Sequence, residues 1–385
     1  MHYSTKPIGV CLFIAATLPA VVFGDAAWID GNRGWLNNGI MKVGIDSDYG
    51  GSIVYVSHTD SSTNLVNVHD PGRLIQQSYY AGRTLNRQSE GQHPSWSPWS
   101  WNPIQGGSWN GQGSVTLTLK GIQNGTTLYS ETQPRLWDMN GELARATMQQ
   151  WMRFEPGMNN VVRVDNRLIC WRDADDIWGP PVFRHQECPA VYLIRNMSKV
   201  ALYDGDEPWQ NKPLTIITEH QPAPPWTKHT PTEHWVACVY PSNDFGVGIY
   251  STYDDQFWYV GAVGSSGGAT RSSTMHMAAI HGMRLDRSTV WSYTYWLMIG
   301  DINTLRARAY QLHSRPAPPP PPPPSDLNRD GRMDMDDLTI FGGGWLRDDC
   351  DGPAWCGGAD LTRSGRVGAE DLAVFAGDWL SLPID

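Results

Sequence analysis

The chain has 385 residues, room for two or three domains. Only 18% of them are charged and the formal net charge is −10, which excludes the basic clusters that a nucleic-acid partner requires. The 19 tryptophans far exceed an average share; such rings either fill a large β core or offer flat apolar faces to sugar rings.

At the N-terminus, His2 and Lys6 precede an apolar run from Ile8 to Phe23, with small residues around Gly24. This reads as a signal peptide over residues 1–24, cut between Gly24 and Asp25. The run is short for a membrane span, and no later stretch is apolar enough to make one. The expected product is therefore secreted, extracellular or held at the cell surface; the alternative is an uncleaved anchor. Export permits disulfides. Cys11 leaves with the signal. Cys170, Cys188 and Cys238 lie in the main body, and Cys350 and Cys356 are placed to close a small loop.

Residues 25–314 read as β-rich. Period-two or β-branched runs fall at 52–57, 114–120, 161–170, 214–218, 234–240 and 290–298, separated by Gly, Asn and Pro turns. One large antiparallel β-sandwich accounts for this better than several small ones. A propeller or solenoid would show internal repeats, and this segment has none. A helix is expected over 301–312, capped by Asp301 or Asn303, with Leu305, Ala309 and Leu312 on one face.

Three polar, aromatic-rich clusters lie in this body. Between Asn64 and Tyr80, strand alternation puts Arg73, Gln77 and Tyr79 on one face, near His69 and Asp70. Between Ser95 and Gly107, Trp96, Trp99 and Trp101 interleave with Pro and Gly, which predicts a loop presenting aromatic faces. The third cluster runs from Arg184 through His185 and Glu187 to Tyr192, with Glu233 further on. Together they predict a carbohydrate cleft in which Arg73, Gln77, Tyr79, Trp99, Trp101 and His185 bind the substrate. Glycoside hydrolysis needs two carboxyl groups about 5–10 Å apart, and Asp70, Glu187 and Glu233 are the candidates. A polysaccharide lyase would instead use a Tyr or His base beside a cation that neutralises a uronate, and Tyr79, His69, His185 and Arg73 could serve.

Seven consecutive prolines, 318–324, end a Pro-rich linker over 315–324. Polyproline makes a semi-rigid spacer without backbone donors, so it separates the body from a second folded unit at 325–385. That unit holds two copies of a calcium-loop frame. The first places Asp326, Asn328 and Asp330 at positions 1, 3 and 5, Gly331 at the turn, the Arg332 carbonyl at 7, Asp334 at 9 and Asp337 at 12. The second uses Asp360, Thr362, Ser364, the Arg366 carbonyl and Asp371; with fewer charged ligands it should bind more weakly. After the loops, Leu338, Phe341, Trp345 and Leu346 match Leu372, Phe375, Trp379 and Leu380 at helical spacing. Two helices that bury these stripes against each other are expected, marginal without metal.

No helix precedes either loop, and position 12 is Asp rather than Glu. In these respects 325–385 resembles the type I dockerin family. The resemblance implies a Ca2+-dependent module that docks on a cohesin-like domain, with the partner chosen by positions 10 and 11, here Met335/Asp336 and Ala369/Glu370. The Cys350–Cys356 insertion departs from the simplest family pattern. In its length, its almost all-β pattern and an early Gly-Arg strand followed by His/Glu segments, the body resembles the galactose-mutarotase-like β-sandwiches. That likeness implies a mainly β supersandwich, and hydrolase, lyase or epimerase chemistry equally. The expectation is a secreted polysaccharide-degrading enzyme, a glycoside hydrolase first, carrying a small α-helical calcium-binding dockerin-like module. The alternatives are a lyase on the same scaffold, a non-catalytic carbohydrate-binding or adhesion subunit, and a scaffold component with no glycan role.

Overall fold

A computed structural model describes residues 26–380 apart from positions 124, 174 and 222; the expected signal peptide lies outside the described residues. Two antiparallel sheets carry the body. The larger has eleven strands, ordered Ala26–Asp30, Arg33–Asn37, Met41–Asp46, Ser52–His58, Ile75–Ser78, Phe183–Ile194, Thr274–Arg284, Phe257–Val263 and Thr227–His229, with Pro103–Ile104 and Arg135–Leu136 joined beside them. The other has nine, ordered Thr215–Ile217, Lys199–Leu202, Trp235–Val239, Phe245–Tyr250, Val290–Asp301, Met158–Cys170, Ala146–Glu155, Thr127–Gln133 and Val115–Ile122. The expected mainly β, large sandwich is what forms.

Alternation decides what each strand buries. In Met158–Cys170, Val162, Val164 and Leu168 enter the core between the sheets, while Arg163, Asp165 and Arg167 point outward. In Thr274–Arg284, Met275, Met277 and Ala279 face the core; in Phe257–Val263, Trp258, Val260 and Ala262 do so. The residues between them therefore line the outer face of the eleven-stranded sheet.

The helix Ile302–His313 starts at Asp301, whose carboxylate accepts the Thr304 N–H at 3.0 Å. Its Leu305, Ala309 and Leu312 bury against Trp235, Tyr250 and Met298 on the outer face of the nine-stranded sheet. The proline segment lies on that same face. Arg163 donates to the Pro319 carbonyl, and Arg167 to those of Pro321 and Pro322. Proline lacks an N–H but keeps its carbonyl, so arginines can hold the segment down along the sheet. The expected spacer is thus also a strap.

In the tail, the helices Met335–Gly344 and Ala369–Leu380 meet through Phe341 and Phe375, whose rings lie 5.0 Å apart. The expected apolar stripes are only partly right. The first helix ends at Gly344 after three glycines, which leaves Trp345 and Leu346 beyond it and exposed, as Leu372 also is. Leu327, Met333, Ala359, Leu361 and Val367 from the loops complete the core instead. Cys350 and Cys356 are disulfide-bonded, and Cys170, Cys188 and Cys238 are buried free thiols. No described helix is long and apolar enough to cross a membrane.

Candidate functional site

A cleft of about 720 Å³ opens on the outer face of the eleven-stranded sheet. Register explains its floor. Lys228 pairs with Tyr259, Tyr259 with Ala278, Ala278 with Ala190, and Ala190 with Gln76, so these five share one face across five strands. A second row runs Ser78, Glu187, Ile280, Phe257. Glu187 should not be there. It lies three residues before Ala190, and strict alternation would send it into the core. A β-bulge between Glu187 and Ala190 inserts one extra residue and reverses the phase. Cys188 then turns inward, fully buried, and Glu187 turns out to the cleft, 8% exposed.

Glu187 has unusual company for a buried carboxylate. Tyr80 OH donates to its Oε2 at 3.3 Å, and His276 Nε2 stands 3.4 Å from Oε1. No arginine or lysine pairs with it among the described residues. His276 is fully buried between the rings of Tyr192 and Trp226, each centroid 4.4 Å away. Its Nδ1 has no partner, and Nε2 is close to Glu187 without lying on a hydrogen-bond line. Burial, with the Glu187 charge next in weight, pushes the Tyr80 hydroxyl well above its usual 10. Burial likewise raises the Tyr192 hydroxyl.

The walls are aromatic. Trp96, Trp99, Trp109, Trp137 and Trp226 line the cleft with Tyr80 and Tyr259. Two of these rings sit where glycine leaves space. A Cβ on Gly72 would come within 2.4 Å of Trp137, and one on Gly261 within 2.8 Å of Trp226. At the mouth, Asp70 is 3.2 Å from Arg73 and accepts the Gly72 N–H at 3.0 Å. Arg184, His185 and Lys228 also line the cleft. Burial, then the Lys228 charge, lowers the His185 imidazole.

Of the residues expected from sequence, Asp70, Arg73, Trp99, His185 and Glu187 line this cleft. Four do not. Gln77 and Tyr79 point the other way: both are fully buried between the sheets, with Tyr79 OH donating to Gln77 and Gln77 to the Gln149 carbonyl. The register was wrong by one residue, and Gln76, Ser78 and Tyr80 face the cleft. Trp101 is 2% exposed, its ring covered by the Arg172 guanidinium at 4.8 Å. Glu233 lies at the nine-stranded sheet and is fully buried. Arg306, Tyr310, Trp235 and the Trp209 N–H all donate to it. Burial alone would push its carboxyl up, but those hydrogen bonds hold it below the usual range. It braces the helix and is not in the cleft. His276 was missed; its only sequence signal is a lone polar residue between Met275 and Met277 in an apolar strand.

The two tail loops close alike. Asp326 accepts the Asp330 and Gly331 N–H groups, and Asp337 those of Asn328 and Asp334. In the second copy Asp360 accepts from Ser364 and Gly365, and Asp371 from Thr362 and Gly368. Gly331 and Gly365 take φ of 90° and 91°, which only glycine adopts freely. Burial, helped by the charges of Asp337 and Asp330, pushes the Asp326 carboxyl up to about 6 against the pull of Arg329. Buried, mutually repelling carboxylates in an all-oxygen set are chemically suited to Ca2+. The first-loop ligands would be Asp326, Asn328, Asp330, the Arg332 carbonyl, Asp334 and Asp337; the second-loop ligands Asp360, Thr362, Ser364, the Arg366 carbonyl and Asp371. Among the described residues, the three-residue grouping of acid, thiol or imidazole atoms within 4.8 Å is Asp349 with Cys350 and Cys356, and the disulfide takes both sulfurs from it. The loop carboxylates are more widely set, turned to backbone N–H groups.

No family model matches this chain, and no curated protein sequence is detectably similar. Among solved structures it is similar to a galactose mutarotase related enzyme from Lactobacillus acidophilus, at 11% identity and TM-score 0.37 over 69% of this chain and 97% of that one. A galactose mutarotase-like protein from Lactobacillus casei gives 8% and 0.36 over 72% and 100%. The alpha-N-acetylgalactosaminidase NagBb from Bifidobacterium bifidum gives 9% and 0.37 over 74% of this chain and 38% of that one. At this level of likeness none of them bears on chemistry.

Proposed function

We propose that this chain is a secreted glycan-degrading enzyme, a glycoside hydrolase, with its active site in the aromatic cleft of the eleven-stranded sheet. The observation that carries the reading is Glu187: a carboxyl in a tryptophan-lined groove, with a hydroxyl and an imidazole for neighbours and, among the described residues, no arginine or lysine paired with it. Tryptophan faces hold sugar rings, and a carboxyl held among them is placed to protonate a glycosidic oxygen. Asp70 is the second carboxyl of the cleft and takes the role of activating water or attacking the anomeric carbon. A lyase on the same scaffold would need a tyrosine that gives up its proton easily. Tyr80 is the cleft tyrosine beside Glu187, and its surroundings push it the opposite way.

The test is a product screen on a polysaccharide panel with wild type and Glu187→Gln. New reducing ends from wild type alone support the reading. An unsaturated uronate product would replace hydrolase with lyase. Binding without any product from any glycan would leave a carbohydrate-binding subunit.

For the tail we propose a Ca2+-loaded, dockerin-like module that grips a cohesin-like domain. Its support is the duplicated loop closure and the buried acid set of each copy. Calcium titration of the full chain by calorimetry tests it, with Asp326→Ala and Asp330→Ala expected to remove the tighter binding event. An absence of heat in wild type would reject the metal, and with it the docking role.

A further inference from the structure

We propose that the glycan taken by this cleft is acidic, its carboxylates or sulfate esters met by Arg184 and Lys228. The inference rests on the cleft being a glycan site and names the substrate class.

The cleft contains three cations, Arg73, Arg184 and Lys228, and two acids, Asp70 and Glu187. Their pairing is uneven. Arg73 and Asp70 neutralise each other at 3.2 Å. Glu187 turns to Tyr80 and His276. Arg184 and Lys228 are left with no carboxylate within ion-pair distance among the described residues.

Arg184 is fixed in place by a neutral group. Its Nε and Nη2 both donate to the Gly82 carbonyl, at 3.1 and 2.7 Å, and Nη1 is left over. The remaining donors of a half-buried guanidinium held this way favour an oxyanion. Lys228 projects from the edge strand Thr227–His229, its ammonium 4.3 Å from the centroid of Phe257. The His185 ring lies 5.0 Å from the same phenylalanine and also lines the cleft. The nearby Asp255 is occupied, accepting from His281 Nδ1 and the Gly282 N–H. The protein thus leaves two positive groups uncompensated in a groove whose rings are suited to sugars. An anionic substituent on the sugar supplies the missing charge.

The experiment compares polygalacturonate, a sulfated galactan and an uncharged galactan as substrates for wild type, Arg184→Gln and Lys228→Gln. Wild type is expected to act on an acidic polymer in preference to the uncharged one. Each variant should raise KM for it roughly ten- to a hundredfold, the weight of a charge-assisted hydrogen bond, with kcat nearly kept. Lys228 is exposed, so its variant keeps the fold even if Arg184→Gln does not. Which acidic polymer responds distinguishes uronate from sulfate. Preference for the uncharged galactan, or indifference to both substitutions, overturns the inference and leaves the hydrolase reading standing. If Glu187→Gln and wild type alike neither bind nor convert any of the three, the glycan reading itself fails and takes this inference with it.

Discussion

Glu187 and Glu233 are the same side chain in two opposite settings. Both are buried, each on the outer side of its own sheet. Glu233 is saturated: an arginine, a tyrosine, a tryptophan and a backbone N–H converge on it. Glu187 has one hydroxyl and a nearby imidazole, and open groove in front. Burial alone therefore does not mark a catalytic acid. The number of donors already spent on it distinguishes Glu233, a brace, from Glu187, which keeps acceptor capacity for a ligand.

The largest effect should come from Glu187→Gln, which keeps the shape. Loss of a general acid costs about 10²–10⁴ in turnover, measured as product release, with the denaturation midpoint nearly unchanged. Glu233→Gln should do the reverse. It leaves Arg306 buried against a weakened partner, and breaking such pairs costs about 3–5 kcal/mol. Urea unfolding should show that loss, while activity per folded molecule stays at the wild-type level. If Glu233→Gln abolishes turnover without destabilising, the contrast between the two is wrong.

A third buried carboxyl sharpens the rule. Asp138 sits behind cleft residue Trp137; Gln92 donates to one oxygen, and the other has no partner. Burial pushes it from 3.8 up to about 6. The folded state then holds a proton that the unfolded state has released. Its contribution is fully present below about pH 4 and is lost as pH rises through 6. About 3 kcal/mol of stability should go over that window, and the difference between wild-type and Asp138→Asn curves isolates it from carboxyls that shift the other way. Smaller again is the tail. Calcium at a hundredfold excess over its Kd should stabilise the tail's own transition by about 2.7 kcal/mol, read by calorimetry of the whole chain with and without chelator. An unchanged tail transition would place its acids with Glu233, as structure only.

Strand content was legible because β-branched runs and turns alternate, and the helix start was readable to within Asp301 or Asn303, of which Asp301 makes the cap. The orientation of Ile75–Ser78 was not. Three consecutive polar residues, Gln76, Gln77 and Ser78, face alternately cleft and core, so hydrophobicity gave no phase. Gln77 is tolerated inside only because the Gln149 carbonyl, distant in sequence, accepts from it. The bulge that exposes Glu187 has a local mark, the Cys188-Pro189 pair, since proline cannot supply a ladder N–H. The role of Glu233 had none: Arg306 and Tyr310 reach it from a helix that sequence places far away.

The proline strap has a consequence for how the molecule is held. It runs on the reverse of the nine-stranded sheet, gripped by Arg163 and Arg167, and the groove opens on the far side of the sandwich. If the tail docks as proposed, the body would be gripped from behind and the groove would stay clear of the anchor, so that many such bodies could crowd along it without shading each other's mouths.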